Sequence, residues 1–442
     1  MQVLQLHNPA VAQLVDGSSR FGVRRKQLDY FLVFWLLVIS GNPGVSMLAG
    51  GIESILSVTF LGVGAILLVR RNLQWSRWAA VPFVVFGFLL LIQCLSFQVF
   101  PYITIIGFLI RLSIGLIIWM LVPQLPYIFI RIMVFLTVIS FFFWISGLVG
   151  FLHPLIIRVA LQNAEVEAVQ PRLSLIIHTY VMTDNGLSFR NAGMFWEGGA
   201  FAGFLNLAIC LLALQRDQFS AKTYRTYLFF LGAGVLSTLS TAGYIVLGAN
   251  LLLHSLHSIG RYPNSAGSKR NMAILRIAIV TFFILTVGFY AWRNLPFLGE
   301  KIIDQYETAR YQERSGWYLT RLGTMVLDWE YIKRRPLTGW GIRHDTRWAL
   351  HGGGTTLEFR MGNGLSDFTT RFGFIGLLTF AGLTWLGLFR MMRKNRGRAI
   401  IALGIILLML NGENFLNYPF FLGLMFLPIQ QPAYILGGSH GM

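Results

Sequence analysis

YITIIGFLIRLSIGLIIWMLV, residues 102–122, holds a single charge, Arg111, among otherwise apolar, small or hydroxyl side chains. A hydrocarbon layer roughly 30 Å thick needs about 20 such residues in one helix. Backbone polar groups in lipid must be paired within the segment, so a run like this is a helix rather than an open strand. Comparable runs recur near 28–48, 52–69, 78–97, 127–151, 194–214, 226–241, 243–259, 273–290, 364–389, 399–411 and 418–436. Together they predict an all-α fold class, a polytopic integral membrane protein with about twelve transmembrane helices. The pair around Ala242-Gly243 reads equally as one broken helix, and 399–411 is short for a full span.

The composition agrees with this reading. The 442 residues are 55% hydrophobic and 12% charged, and that charged fraction is about half that of ordinary soluble domains. Disordered, collagen-like and disulfide-rich secreted chains are excluded. No cleavable signal peptide is evident, because the first apolar run follows a polar, basic stretch and no small-residue cleavage site closes it. Cys94 and Cys210 both lie in apolar runs and read as core packing.

The net charge of +18 follows topology rather than nucleic acid. Arg20, Arg24, Arg25, Lys26, Arg70, Arg71, Arg77, Arg216, Lys222, Arg225, Arg261, Lys269, Arg270, Arg276, Arg390, Arg393, Lys394, Arg396 and Arg398 all fall on one side of the alternation. The short loops on the other side, 41–51, 98–101, 242 and 412–417, carry no Lys or Arg. The chain then divides into a cytoplasmic tail (1–27), helices 1–5 (28–151), a large outer loop (152–193), helices 6–9 (194–290), a second large outer loop with an amphipathic helix (291–363), helices 10–12 (364–436) and a cytoplasmic tail (437–442). Both termini are expected in the cytoplasm.

The two outer loops also carry cations: Arg158, Arg172, Arg190, Arg293, Lys301, Arg310, Arg314, Arg321, Lys333, Arg334, Arg335, Arg343, Arg347 and Arg360. One reading is an anionic ligand at the outer face. The other is pairing with Glu300, Asp304, Glu307, Glu313, Asp328, Glu330, Asp345 and Glu358. Residues 300–335 read as a helix ended by Pro336. Leu319, Leu322, Met325, Val326 and Trp329 fall on one arc, and Arg310, Arg314, Trp317 and Arg321 on another. The apolar arc is expected to pack on the bundle or lie at the membrane surface. The guanidinium row suits phosphate oxygens.

Charge near apolar spans is costly and faces a cavity or partner by default. Glu197 opens the sixth span, Glu53 and Glu413 lie at span ends, and Asp367 and Arg371 are spaced to pair along one helix face. For the last two, a structural pair and a site role stay equally open. His344 and His351 lack metal-ligand spacing, so no metal is expected. HGGG at 351–354 and GGSHG at 437–441 imitate esterase motifs without the strand–turn–helix that a nucleophile elbow needs. There is no phosphate-binding G-x-x-x-x-G-K-[ST], which argues against an ATP-driven pump.

Four stretches carry a resemblance: RNAGMFWEGGAFAGF at 190–204, STLSTAGYIVL at 237–247, Arg314 followed by an amphipathic helix and RPLTGWGI at 335–342, and NGLSDFTTRFGFIGLL at 363–378. In order, spacing and topology they resemble the bacterial O-antigen ligase/polymerase superfamily, most closely the Wzy-type polysaccharide polymerases. The resemblance covers about 185–380, and the first half of the chain matches only as membrane spans. It implies a GT-C-like membrane glycosyltransferase of the bacterial inner membrane, which joins undecaprenyl-diphosphate-linked oligosaccharides at the periplasmic face. It implies no cofactor and no metal. The implied partners are lipid-linked donor and acceptor, membrane lipid, a chain-length regulator protein and a flippase, with no nucleic acid. The ligases typically carry His before the Asn that opens the last motif. Here that residue is Gly362, which favours polymerase over a ligase acting on lipid A core or protein. A flippase or secondary transporter is the alternative from another class.

On this resemblance Arg190 and Arg314 hold the diphosphate, with Arg321 and Arg343 as helpers. Glu197 is the first choice for a base toward the acceptor hydroxyl, ahead of His344 and Asp367. Asn363 and Arg371 join the substrate-binding set. The chemistry is coherent, because cleavage of a glycosyl–diphosphate bond builds charge on the leaving phosphate that fixed guanidiniums stabilise most in the transition state.

Overall fold

Helix exteriors as apolar as their interiors determine which solvent this chain folds in. The computed structural model describes residues 26–47, 52–70, 76–149, 155, 158–162, 172–183, 186–259, 321–351, 363–392 and 395–429. Their principal helices are α1 (26–39), α2 (Ile52–Arg70), α3 (Arg77–Phe97), α4 (Tyr102–Leu121), α5 (Leu125–Val149), α6 (Gly198–Leu214), α7 (Ala221–Ser237), α8 (Thr241–Ile259), α9 (Arg321–Arg334), α10 (Gly364–Met391), α11 (Arg396–Leu410) and α12 (Pro419–Leu422), the last running on as a 3-10 helix over Gly423–Ile429.

Along α3, Phe86, Leu89, Leu90 and Gln93 are buried, whereas Val84, Phe88, Leu91 and Leu95 are each more than half exposed. Their spacing of four, three and four puts them on one stripe. On α5, Phe135, Phe142, Ile145 and Val149 are likewise exposed. Contiguous apolar faces of this kind are incompatible with a soluble monomer and are the ordinary condition against lipid. The protein is an α-helical membrane protein. Among the described residues α3, α4, α5 and α10 are long and apolar enough to cross a membrane, and Leu56–Arg70, α6 and Pro419–Ile429 are shorter apolar helices. The expected segment 273–290 lies outside the described residues.

Two local features depart from the sequence reading, and a third decides between its alternatives. Residues 152–193 contain a four-stranded antiparallel sheet in order β1 (Leu161–Gln162), β2 (Arg172–Ser174), β3 (Thr179–Thr183) and β4 (Gly186–Leu187), with Leu173 opposite Tyr180 and Met182 opposite Leu187. The β-branched and aromatic run of β3 favours it, and Tyr180 ties it to α5 by donating to the Phe143 carbonyl at 2.9 Å. The break near residue 242 falls earlier, at 238–240, where Leu239 has φ 49°. In α9 the apolar arc faces away from the bundle, which leaves the membrane surface of its two expected places: Met325, Val326 and Trp329 are exposed, while Thr324, Asp328, Tyr331 and Ile332 are buried. Ionic pairing by Asp328 selects the inward face of this helix over the burial of its apolar arc.

The core gathers around α6, every residue of which is buried, and around the aromatic cluster Phe86, Phe108, Phe368 and Phe372. Helix α10 crosses this core with one non-helical residue, Gly373, at φ 65° and ψ −173°. Into that break fits the turn of residues 336–341. The Phe374 amide donates to the Pro336 carbonyl at 2.7 Å and Ile375 to Leu337 at 3.3 Å; in return Trp340 donates to the Thr370 carbonyl at 2.8 Å and Gly341 to Arg371 at 3.0 Å. Buried Gln93 completes the joint, donating to the carbonyls of Thr338 at 2.6 Å and Arg371 at 2.7 Å.

A Cβ on Gly373 would sit 2.0 Å from the Leu337 carbonyl oxygen. Gly373→Ala is therefore expected to lose about 3 kcal/mol or more, from the clash and the left-handed backbone together. Gly382→Ala, with nothing within 4 Å on the same helix, is the neutral control. Thermal unfolding of the two variants in detergent compares them; equal midpoints would refute the account of the joint.

Candidate functional site

Two turns and a buried ionic chain meet at the end of the bundle where α6 and α10 begin. The first turn, 190–197, caps the end of α7. The Asn191 amide donates to the Ser237 carbonyl at 3.1 Å, and Arg190 Nε donates to the Thr238 carbonyl at 3.1 Å. These carbonyls have no partner in their own helix. Asn191, fully buried, also donates from Nδ2 to Ser140 Oγ at 3.0 Å and Ser237 Oγ at 3.1 Å, joining α5 to α7. The turn ends at Glu197, which has an extended backbone and directly precedes α6.

Arg190 thus lends one nitrogen to the fold. Among the described residues its two terminal nitrogens have no hydrogen-bond or carboxylate partner, and the side chain lines a cleft of about 310 Å³. Arg172, on β2, lies on the Glu197 side of the turn. Burial pulls its guanidinium below the ordinary arginine value, opposed by the nearby Glu197, Tyr418 and Glu413. Its buried Nε has no hydrogen-bond partner among the described residues.

The second group is a chain of charges. Arg347, 1% exposed, donates from Nη2 to Asp328 Oδ1 and from Nε to Asp367 Oδ1 at 3.1 Å. Arg371 Nη2 meets the other Asp367 oxygen at 2.8 Å, and Arg371 Nη1 donates to Asn417 Oδ1 at 2.7 Å. Ser366 Oγ donates to Asp328 Oδ2. The Arg347 guanidinium also lies over Trp348, 4.1 Å from the ring centroid. The chain binds α9, the one-turn helix His344–Arg347 and α10 to the turn after α11. That turn reaches the first group as well: Tyr418 stacks on Trp196 at 4.9 Å.

The structure therefore brings Glu197 near Arg172, and Asp367 with Arg371, at neighbouring positions joined through 413–418, with Arg190 at the start of the turn that Glu197 ends. Asn363 caps α10, its Oδ1 accepting from the amides of Leu365 and Ser366 at 3.1 Å each. Arg343 pairs with Asp345 at 2.5 Å on the surface, an arrangement of small energetic weight. Arg314 lies outside the described residues, as do His351 beyond its backbone and the side chains of Arg321 and His344. Sequence reading counted Arg172, Asp328 and Arg347 only as loop charges and passed over Asn417 and Tyr418. Their partners stand far off in the chain, and no spacing signals them.

No protein-family profile, curated protein or solved structure matches the chain.

Burial raises the Asp328 carboxyl to about 6, against the pull of Arg347 and with a further push from Asp367. A carboxyl raised on folding contributes most stability below its unfolded value near 4 and loses it as pH climbs through about 6. Buried His178, lowered to about 3 by desolvation, acts oppositely, losing its contribution as pH falls below about 6.5. The Asp328 contribution is hence read by difference. Between pH 7 and pH 5, wild type should gain melting temperature relative to Asp328→Asn. Parallel pH curves for the two would show that Asp328 does not titrate in this range.

Proposed function

We propose that the protein is a polysaccharide polymerase of the O-antigen type, a GT-C-like glycosyltransferase of the bacterial inner membrane with about twelve spans and cytoplasmic termini. Its substrates are oligosaccharide repeat units on undecaprenyl diphosphate, joined at the periplasmic face. What carries the reading is Arg190: a guanidinium anchored by Nε to a helix end, on a side chain that lines an open cleft. That is the geometry a departing diphosphate needs, since the cation is fixed before the reaction and no reorganisation is required of it.

In this mechanism the acceptor hydroxyl oxygen attacks the anomeric carbon of the donor. The anomeric C–O bond breaks, and its electron pair goes to the diphosphate oxygen, which Arg190 and Arg314 stabilise. The hydroxyl proton passes to the Glu197 carboxylate or to the departing diphosphate. Glu197 is suited by its position immediately before α6, at the end of the turn that begins with Arg190. Asp367 has both oxygens engaged by buried arginines, so its part is to position α10 and the 413–418 turn rather than to take a proton.

Broken helices also occur in transporters, where bound ions or substrate meet the freed backbone. In α10 the break is filled by the chain's own turn, which supports a fixed scaffold over alternating access.

Deleting the gene in its host should leave surface glycan capped with a single repeat unit, whereas loss of a ligase or flippase would remove attached glycan altogether. Arg190→Ala, expressed at wild-type level, should lower polymer formation by about 10²–10³-fold, with partial recovery in Arg190→Lys. Full-length polymer from Arg190→Ala would sink the diphosphate role.

A further inference from the structure

We propose that the cleft between the loop sheet and α5 is a glycosyl-phosphate subsite, in which a sugar ring stacks on Trp144 and Phe189, over a floor that includes the buried Tyr180, while Arg190 holds the phosphate on its anomeric carbon. The proposal rests on the glycosyltransferase reading for the anion at Arg190 and extends it to the group that anion carries.

The cleft, about 310 Å³, falls at the lower end of the volumes of small-molecule sites, about 300–1,000 Å³. That suits one monosaccharide and its phosphate rather than a long glycan. Aromatic side chains supply three of its walls. Phe189 is 72% exposed, and among the described residues it has no ring partner. Its backbone is nevertheless fixed, because Trp144 Nε1 donates to the Phe189 carbonyl at 2.8 Å. Tyr180 is held by its hydroxyl on Phe143. The Trp144 ring, held before binding by its own hydrogen bond, offers a flat apolar face at little entropic cost, as the C–H faces of a pyranose require.

The polar groups select the rest of the ligand. His178 is 1% exposed, between Phe143 at 5.5 Å and Tyr180 at 4.5 Å. Among the described residues its Nδ1 has no hydrogen-bond partner, and burial keeps the ring neutral. A buried polar nitrogen left unpaired costs about 1–3 kcal/mol, a cost that a ligand hydroxyl relieves. A hydroxyl both donates and accepts, so it fits either tautomer of a neutral imidazole. Ser188 adds another hydroxyl, and among the described residues Arg190 is the one charged side chain lining the cleft. One cation beside neutral donors, acceptors and aromatic faces matches a neutral polyhydroxylated ring carrying a single anionic group.

The test is saturation-transfer NMR on the full chain in lipid nanodiscs, with N-acetylglucosamine 1-phosphate and galactose 1-phosphate as probes, and with N-acetylglucosamine and inorganic phosphate as comparison. Ring protons of at least one sugar phosphate should receive saturation, at least threefold above the free sugar. Phe189→Ala should cut the signal at least threefold without disturbing the fold, since that side chain is 72% exposed and has no ring partner among the described residues. Arg190→Ala should abolish the preference for the phosphorylated sugar. Phe229→Ala, another exposed aromatic ring, on α7, should change nothing. Signals unchanged by Phe189→Ala, or full displacement of the sugar phosphate by equimolar inorganic phosphate, would overturn the proposal and leave Arg190 as a plain anion site. Binding is read without polymerisation. A protein that binds sugar phosphate but makes no polymer keeps this subsite and refutes the polymerase. One that makes polymer without this binding does the reverse.

Discussion

A helix interrupted among apolar side chains releases amides and carbonyls that water cannot reach, and each must find a partner within the protein. This constraint arises twice here, and both times a polar turn meets it. At Gly373 the turn 336–341 exchanges four backbone hydrogen bonds with α10, and at 237–238 the Arg190–Asn191 segment takes the last carbonyls of α7. The loop segments are thereby fixed to the apolar helices by backbone geometry rather than by shape alone. The side chains that follow from these turns, Arg190 in one and Arg343 and Arg347 just beyond the other, inherit their positions from it.

The ionic chain acts on the same scaffold from the side-chain level. Four charges, three of them almost without exposure, are expensive to bury, and well-packed hydrophobic residues commonly do as well for stability. What alternating charges supply here is register. Arg347 satisfies two carboxylates from different segments at once, so α9, the one-turn helix and α10 have one arrangement in which all partners are met. The apolar arc of α9 turned outward is the visible cost: Met325, Val326 and Trp329 forgo the core so that Asp328 can face Arg347.

Much of this was legible in the sequence wherever the signal is local. Most of the apolar runs that fall on described residues placed helices within a few residues, though 28–48 is helical only to 39 before a turn and 418–436 is a short α-helix continued as 3-10. The four-residue spacing of Asp367 and Arg371 announced a pair that is present. The motif stretches 190–204 and 237–247 meet in space, as do 335–342 and 363–378. What the sequence concealed is long-range. Nothing near Asp367 hints that Arg347 shares it, and nothing in RPLTGWGI says that the turn is inserted into a helix. The sheet in 152–193 escaped notice because its strands are only two to five residues long, too short for alternation to stand out against a hydrophobic chain.

The loop cations first looked like one population with two rival explanations. In three dimensions they divide. Arg343 and Arg347 belong to carboxylates, and Arg335 donates to Ser96 while lying over Phe97 at 4.2 Å. Arg190 and Arg172 differ in kind, since no carboxylate oxygen lies within salt-bridge distance of either among the described residues, although Arg172 feels Glu197 and Glu413. A guanidinium held by a backbone carbonyl keeps its full charge for a ligand, whereas one held by a carboxylate is already neutralised. The anchoring group therefore separates a cation that organises the fold from one free to meet an anion, and at Arg190 that anchor is the Thr238 carbonyl at the end of a broken helix. The same break that the fold must repair thus fixes the direction in which its exposed charge points.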